Sequence, residues 1–79
     1  MVKTEAPYAV KDGRKLSLMC RQLFGEEREL RVLRSAAGYY LGTLDDMGLP
    51  NSRDSGYYPS AEAAQAALDT GSFTPRLHP

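Results

Sequence analysis

The sequence predicts a small α+β domain, in which an antiparallel sheet of about three strands is packed by a C-terminal helix. Two observations lead to this prediction. Residues 29–44 alternate in polarity and are rich in Leu, Val and Tyr, which is typical of strands. Residues 60–71 begin with Ser, run through an Ala-rich segment and end at Gly, which is the pattern of a capped helix.

The length and composition predict one domain. The chain has 79 residues, of which 42% are hydrophobic and 25% are charged, as in ordinary globular proteins. We expect a single folded unit over residues 1–79, with an ordered core of about residues 8–71 and loose ends. The core of so small a domain is thin, so a partner, or a second copy in a homodimer, would add stability.

The segment Lys15–Phe24 fits two structures. Its apolar residues recur at helical spacing, and Gly25 stands where a helix would be capped. The preceding Asp12-Gly13 is a hairpin signal, and the apolar residues that follow it also alternate, as in a strand. The residues at helical spacing are Leu16, Met19, Cys20, Leu23 and Phe24, and the alternating residues are Leu16, Leu18 and Cys20. We favour a second helix here and keep a further strand as the alternative.

A central hairpin is predicted from Glu29–Arg34 and Tyr39–Leu44, joined by Ser35–Gly38. The next twelve residues, Asp45–Gly56, collect Gly, Pro, Asn, Ser and Asp, and are therefore predicted to form a long loop. Ordered loops of this length are often functional. Tyr57-Tyr58 is expected to add a short edge strand.

The C-terminal helix is predicted over residues 60–70. Ser60 is a favourable N-cap, and Gly71 follows the last turn as a C-terminal cap. The residues expected on its buried face are Ala61, Ala64 and Leu68, flanked by Ala67. The remaining tail, Ser72–Pro79, contains two prolines and is expected to trail from the domain.

Charge is divided unevenly along the chain, although the formal net charge is zero. Seven basic and four acidic residues lie between Lys11 and Arg34, whereas two basic and five acidic residues follow, so the two parts carry +3 and −3. The basic part makes Arg14, Lys15 and Arg21 candidates for nucleic-acid binding. The zero net charge makes this function the less favoured one.

The sequence offers no catalytic constellation. Cys20 is the only cysteine, and the only histidine, His78, is one residue from the C-terminus, so neither a nucleophile–base pair nor a metal-ligand cluster is apparent. The glycines match no phosphate-binding motif, and Asp45-Asp46 fits a solvated turn better than a cation site. We expect a protein that is not an enzyme and that uses no metal and no cofactor.

The lone Cys20 suits a reducing compartment, and we expect it to lie in the core. The N-terminus lacks the apolar region of a signal peptide, and no apolar run approaches the roughly 20 residues of a membrane span. These features predict a cytoplasmic protein without membrane attachment.

Tyrosine and arginine side chains are the best candidates for a binding surface. Tyr39 and Tyr40 are adjacent on a predicted strand, so they point to opposite faces and only one of them can join the core. An exposed tyrosine can anchor a protein interface or stack on a base. The residues that we expect to contact a partner are Tyr40, Arg53, Asp54, Tyr57, Arg31 and Arg34.

Four short segments resemble small uncharacterised proteins carried by bacterial phages and integrative or conjugative elements. The segments are Tyr39–Thr43, Ser52–Ser55, Tyr57-Tyr58 and Ala61–Ala64. Residues 28–71 are also similar to the strand–strand–strand–helix modules at the start of phage integrases. Mobile elements encode many small neutral or acidic proteins, anti-CRISPR inhibitors among them, that act by covering a host protein.

The resemblance implies a non-catalytic binding protein of mobile-element origin. Such a protein would occupy a surface of a host protein or nucleoprotein complex, as an anti-CRISPR-like inhibitor or an accessory factor. The alternative is a small DNA- or RNA-binding module that uses the basic region Arg14–Arg34.

Overall fold

The computed structural model describes residues 6–76, which form five strands, one α-helix and one short π-helical segment. The strands are β1 (Tyr8–Lys11), β2 (Arg14–Ser17), β3 (Arg31–Ser35), β4 (Gly38–Leu44) and β5 (Pro50–Arg53). The π-helical segment is Cys20–Phe24, and the α-helix α1 is Ala61–Thr70.

The strands form two antiparallel sheets, and α1 packs on the larger one. β1 and β2 make a two-stranded hairpin, while β3, β4 and β5 make a three-stranded sheet with β4 at its centre. A single bridge between Leu16 and Glu29 links the sheets, supported by the backbone hydrogen bond from Leu30 N to Lys15 O at 2.8 Å. The predicted α+β class, with a small antiparallel sheet packed by a C-terminal helix, is confirmed.

The segment Lys15–Phe24 is a strand in its first part and helical in its second part. The hairpin alternative is right up to Ser17, because Asp12 and Gly13 adopt φ angles of 53° and 76° and turn the chain tightly between β1 and β2. The favoured helix over Lys15–Phe24 is therefore wrong for its first residues. Residues 18–24 wind helically, with Cys20–Phe24 as the π-helical part, and Gly25, at φ 66°, ends the segment as a left-handed cap.

The predicted central hairpin is confirmed as β3 and β4, each displaced by one or two residues at an end. Tyr58 makes a single bridge with Tyr39 instead of the predicted edge strand, with hydrogen bonds of 2.9 and 2.6 Å. Gly38 is required beside this bridge, because a Cβ atom there would lie 2.9 Å from the carbonyl oxygen of Tyr58.

The predicted long loop Asp45–Gly56 is wrong, since it contains β5. Asp45 caps a tight turn after β4, where its Oδ1 accepts hydrogen bonds of 2.9 Å from the amides of Met47 and Leu49. The chain then returns beside β4, with a register irregularity between Thr43 and Leu44. Pairing with an established strand outweighs the weak strand propensity of β5 itself.

The helix α1 has the predicted ends. Ser60 Oγ accepts a hydrogen bond of 3.1 Å from Ala63 N, and Gly71, at φ 69°, caps the C-terminus. The buried residues of α1 are Ala64, Ala67 and Leu68, which pack with Leu30 and Leu41. The predicted burial of Ala64, Leu68 and the flanking Ala67 is confirmed, whereas Ala61, in the first turn, is exposed.

The residues after α1 fold back onto the domain instead of trailing. Phe73 packs on the core beside Tyr8, with ring centroids 6.3 Å apart, and Arg76 N donates to Asp54 O at 2.9 Å. The rest of the predicted loose ends, residues 1–5 and 77–79, lies outside the described residues. None of the helices formed by residues 6–76 is long and apolar enough to cross a bilayer.

Candidate functional site

The three-stranded sheet has two chemically different faces. On the inner face, Val32 pairs with Leu41 and both pack towards α1. The strand register places the intervening residues on the other face, which we call the outer face. The outer-face residues of β3, β4 and β5 are Arg31, Leu33, Ser35, Gly38, Tyr40, Gly42, Leu44, Pro50 and Arg53.

Two tyrosines and an arginine form a stack on the outer face, which we call the outer-face cluster: Tyr40, Tyr57 and Arg53. The rings of Tyr40 and Tyr57 meet edge to face with centroids 5.8 Å apart. The Arg53 guanidinium lies 4.5 Å from the Tyr57 ring centroid and donates a hydrogen bond of 3.2 Å to Ser55 O. Tyr40 is 6% exposed and Tyr57 is 46% exposed, so Tyr57 offers the accessible ring of the cluster.

A groove of about 260 Å³ runs beside this cluster and is lined by it together with Ser35, Pro50, Asn51 and Ser52. Aromatic and arginine side chains are the residue types most enriched where binding energy is concentrated at protein interfaces. The stack also holds the Arg53 side chain in place, so it would lose less conformational entropy on binding than a free arginine.

A glycine separates two arginines across the sheet. Arg31 on β3 and Arg53 on β5 both pair with Gly42 on β4, so the three residues form one cross-strand row. The Tyr40 ring lies against Gly42, since a Cβ atom there would come within 2.9 Å of it. The row therefore presents two arginine side chains on either side of the Tyr40 ring.

The remaining predicted partner-contacting arginine, Arg34, lies apart from this row. It pairs with Tyr39 on the inner face, where its guanidinium is 5.7 Å from the Tyr39 ring centroid. Arg31 and Arg34 thus point to opposite sides of β3, and the structure does not bring them together.

The residues proposed for nucleic-acid binding lie in a region that also contains Glu27, and the charges of Arg14 and Arg21 both act on its carboxylate. Lys15 Nζ lies 5.5 Å from the Tyr8 ring centroid, and Arg21 is 3.9 Å from a carboxylate oxygen of Glu27. Arg14 is exposed at the end of β2. Lys11 also binds Glu27, at 2.8 Å, and this hydrogen bond lowers the pKa of the Glu27 carboxyl. The basic region is partly neutralised by its own acids.

The prediction that Asp54 contacts a partner is wrong. Its side chain is fully buried, so it lies beneath the surface and has no area with which to contact a partner. Its Oδ2 accepts a hydrogen bond of 2.5 Å from Ser17 Oγ, and its Oδ1 accepts one of 2.7 Å from Ser52 Oγ. The backbone N–H of Met19 donates a third. Burial raises the pKa of the Asp54 carboxyl, although these hydrogen bonds oppose the change.

Asp54 belongs to a set of buried polar side chains that are connected by hydrogen bonds, and we call this set the buried polar cluster. Its members are Ser17, Cys20, Thr43, Asn51, Ser52 and Asp54. Cys20 Sγ is 3.3 Å from Thr43 Oγ1, which is 2.7 Å from Ser52 Oγ. Side chains from β2, the π-helical segment, β4 and β5 meet here, so the cluster joins the N-terminal hairpin to the larger sheet.

Cys20 is buried, as predicted, but its neighbours are hydroxyl groups and an amide as well as apolar atoms. All buried side-chain polar atoms of residues 6–76 have a hydrogen-bond partner, so the cluster contains no group left unpaired for a ligand. Residues 6–76 hold no group of three His, Cys, Asp or Glu side chains placed to bind a metal. His78 lies outside the described residues.

Two features of the site could have been found in the sequence. The two-residue turn of the β3–β4 hairpin fixes the register that places Leu33 opposite Tyr40 on the outer face. The second feature is the turn-forming composition around Asp45–Gly48, which places a tight turn directly after β4; the outward direction of Arg53 could not be found, because Ser52, Arg53 and Asp54 are all polar. Comparison with protein family models, with curated proteins and with solved structures finds no match to this chain.

Proposed function

We propose that this protein is a non-catalytic binding protein that covers a surface of a partner protein or nucleoprotein complex through its outer face. The observation that carries the proposal is the outer-face cluster, in which a half-exposed tyrosine and an ordered arginine stand over a buried tyrosine. The resemblance to mobile-element proteins supports an inhibitor or accessory role, such as that of an anti-CRISPR-like protein.

The position of the cluster supports this function over a structural one. The helix α1 and the core lie on the inner face, so Tyr57 and Arg53 are not needed to close the main core. Binding through Tyr57 would bury a large ring that loses little conformational entropy, because stacking already orders it. A small domain that acts by steric occupation needs only such a surface and no reactive group.

The test is capture of a partner from a bacterial lysate with the full-length tagged protein. We expect that Tyr57→Ala and Arg53→Ala each weaken capture, because they remove the accessible ring and the stacked cation. Phe24→Ala is the matched control, since Phe24 is a 52% exposed aromatic residue on the π-helical segment and does not line the groove beside the outer-face cluster. Arg14→Ala controls for charge. Circular dichroism confirms that each variant remains folded.

Equal capture by wild type, Tyr57→Ala and Arg53→Ala would contradict the proposal. Loss of capture with Arg14→Ala, together with submicromolar binding to bare DNA or RNA, would favour the nucleic-acid function instead. Salt separates the two functions further, because phosphate contacts weaken steeply as salt rises whereas burial of aromatic surface does not.

A further inference from the structure

The charged residues that the strands place on the outer face are both arginines. Among the outer-face residues of β3, β4 and β5, Arg31 and Arg53 are charged and none is acidic. The four ion pairs found within residues 6–76 include neither arginine. Arg31 lines a groove together with Glu27, Glu29, Asp45 and Asp46, but none of these carboxylates is within ion-pair distance of it. The outer face therefore presents two guanidinium groups without carboxylate partners from this part of the chain.

From this arrangement we infer that the partner presents an acidic protein surface, with carboxylate groups that meet Arg31 and Arg53 on either side of Gly42. The inference rests on the proposed function and specifies the chemistry of the partner. Two strand spacings separate the Cα atoms of the arginines by about 10 Å, so each guanidinium receives its own carboxylate. Planar guanidinium groups bind carboxylates through two parallel hydrogen bonds.

Nucleic acid fits the outer face less well than an acidic protein does. A protein that follows a phosphate backbone uses a series of cations along one path. Arg14 and Arg28 line the same groove as Arg31, but that groove also contains the acids Glu27, Glu29, Asp45 and Asp46. Arg28 binds Glu26 and Asp46 at 3.0 and 3.2 Å, and Arg34 lies on the inner face. Two arginines suffice to match two carboxylates but supply only two phosphate contacts.

A second copy of this chain also fits poorly as the occupant. Two outer faces packed together would bring arginines towards arginines, because neither face supplies a carboxylate from β3, β4 or β5. Like charges brought together in an interface are unfavourable. Charge complementarity therefore points to a different, acidic molecule.

The experiment is a titration of the isotope-labelled full-length protein, followed by NMR chemical shifts. The probes are a short peptide in which Glu alternates with Val, a matched peptide with Gln in place of Glu, and an oligothymidine. We expect the Glu peptide to shift the amides of β3, β4 and β5, and to bind at least about tenfold more tightly than the Gln peptide, because two charge-assisted contacts are lost.

The double variant Arg31→Gln with Arg53→Gln removes both charges with little change in side-chain size. It should abolish the preference for the Glu peptide, whereas Arg14→Gln with Arg21→Gln, which also removes two exposed cations, should retain it. Equal binding of the Glu and Gln peptides, shifts that map away from β3–β5, no binding of either peptide, or tighter binding of oligothymidine would each overturn the inference. Partner capture that still requires Tyr57 would then leave the proposed function standing.

Discussion

The buried polar cluster gives the sharpest test of the fold, because one carboxylate holds groups from several elements. Replacing Asp54 by Ala removes the acceptor for Ser17, Ser52 and the Met19 amide. Leaving a buried donor unsatisfied costs about 1–3 kcal/mol. Ser52 retains Thr43 as a second hydrogen-bond partner, so the loss of Asp54 costs less at Ser52 than at Ser17.

The expected loss of unfolding free energy for Asp54→Ala is therefore about 2–4 kcal/mol. A domain of this length has a total stability of about 4–12 kcal/mol, so the variant should be close to unfolding. Chemical denaturation followed by circular dichroism measures the difference. The control is Asp46→Ala, which removes a carboxylate that is 93% exposed and binds Arg28, and it should cost less than about 1 kcal/mol.

A loss below about 0.5 kcal/mol for Asp54→Ala would refute the burial of this carboxylate, since so small a loss would mean that its three donors are in contact with water.

The pH dependence of stability gives a second measurement. Because the pKa of Asp54 is raised in the folded state, the folded protein holds this proton more tightly than the unfolded chain does. This contribution to stability is complete below the ordinary carboxyl pKa and is lost as the pH rises through the raised value.

The difference in stability between wild type and Asp54→Asn should accordingly change across that pH range and become constant above it. The neutral amide cannot titrate, so Asp54→Asn lacks this contribution to the pH dependence. Other carboxyl groups titrate in both proteins and cancel in the comparison. A difference that does not vary with pH would contradict a raised pKa for Asp54.

Three further predictions concern stability and accessibility. Leu68→Ala should lower the unfolding free energy by about 2–4 kcal/mol, because it opens a cavity among Leu30, Leu41 and the alanines of α1; a change under about 0.5 kcal/mol in denaturation would contradict its burial. Cys20 should react with a thiol reagent only as the protein unfolds, and rapid labelling of the native protein would show an accessible thiol. Gly42→Ala should cost at least about 2 kcal/mol, because its Cβ would collide with the carbonyl oxygen of Ser52, whereas Gly56→Ala, with open space around it, should be nearly neutral on thermal denaturation.

Local sequence signals were sufficient for α1 and for the β3–β4 hairpin. Ser60 and Gly71 satisfy the ends of α1 through hydrogen bonds within a few residues, so their effect does not depend on the rest of the fold. The hairpin is similarly local, since Ser35 and Gly38 close it and the alternating side chains fix its register. The placing of Tyr40 on the face of β4 opposite Leu41 follows from the same alternation.

Long-range pairing decided what the local pattern left open near the N-terminus. Leu16 and Cys20 fit both a helical stripe and an alternating strand, so periodicity could not choose between them. The choice for β2 follows from the bridge between Leu16 and Glu29 and from the hydrogen bond between Ser17 and Asp54. Those contacts join residues that are distant along the chain, and no pattern within ten residues contains them.

The sequence by itself determined the fold class, the ends of α1 and the order of the central strands, because each depends on neighbours along the chain. The tertiary structure alone decided that β5 forms in a turn-rich segment and that Asp54 turns inwards. Ser17 and Thr43 reach Asp54 and Ser52 from other strands, and their hydrogen bonds compensate the burial of a carboxylate that would otherwise stay in water. The same strand alternation that buries Asp54 sends Arg53 to the outer face.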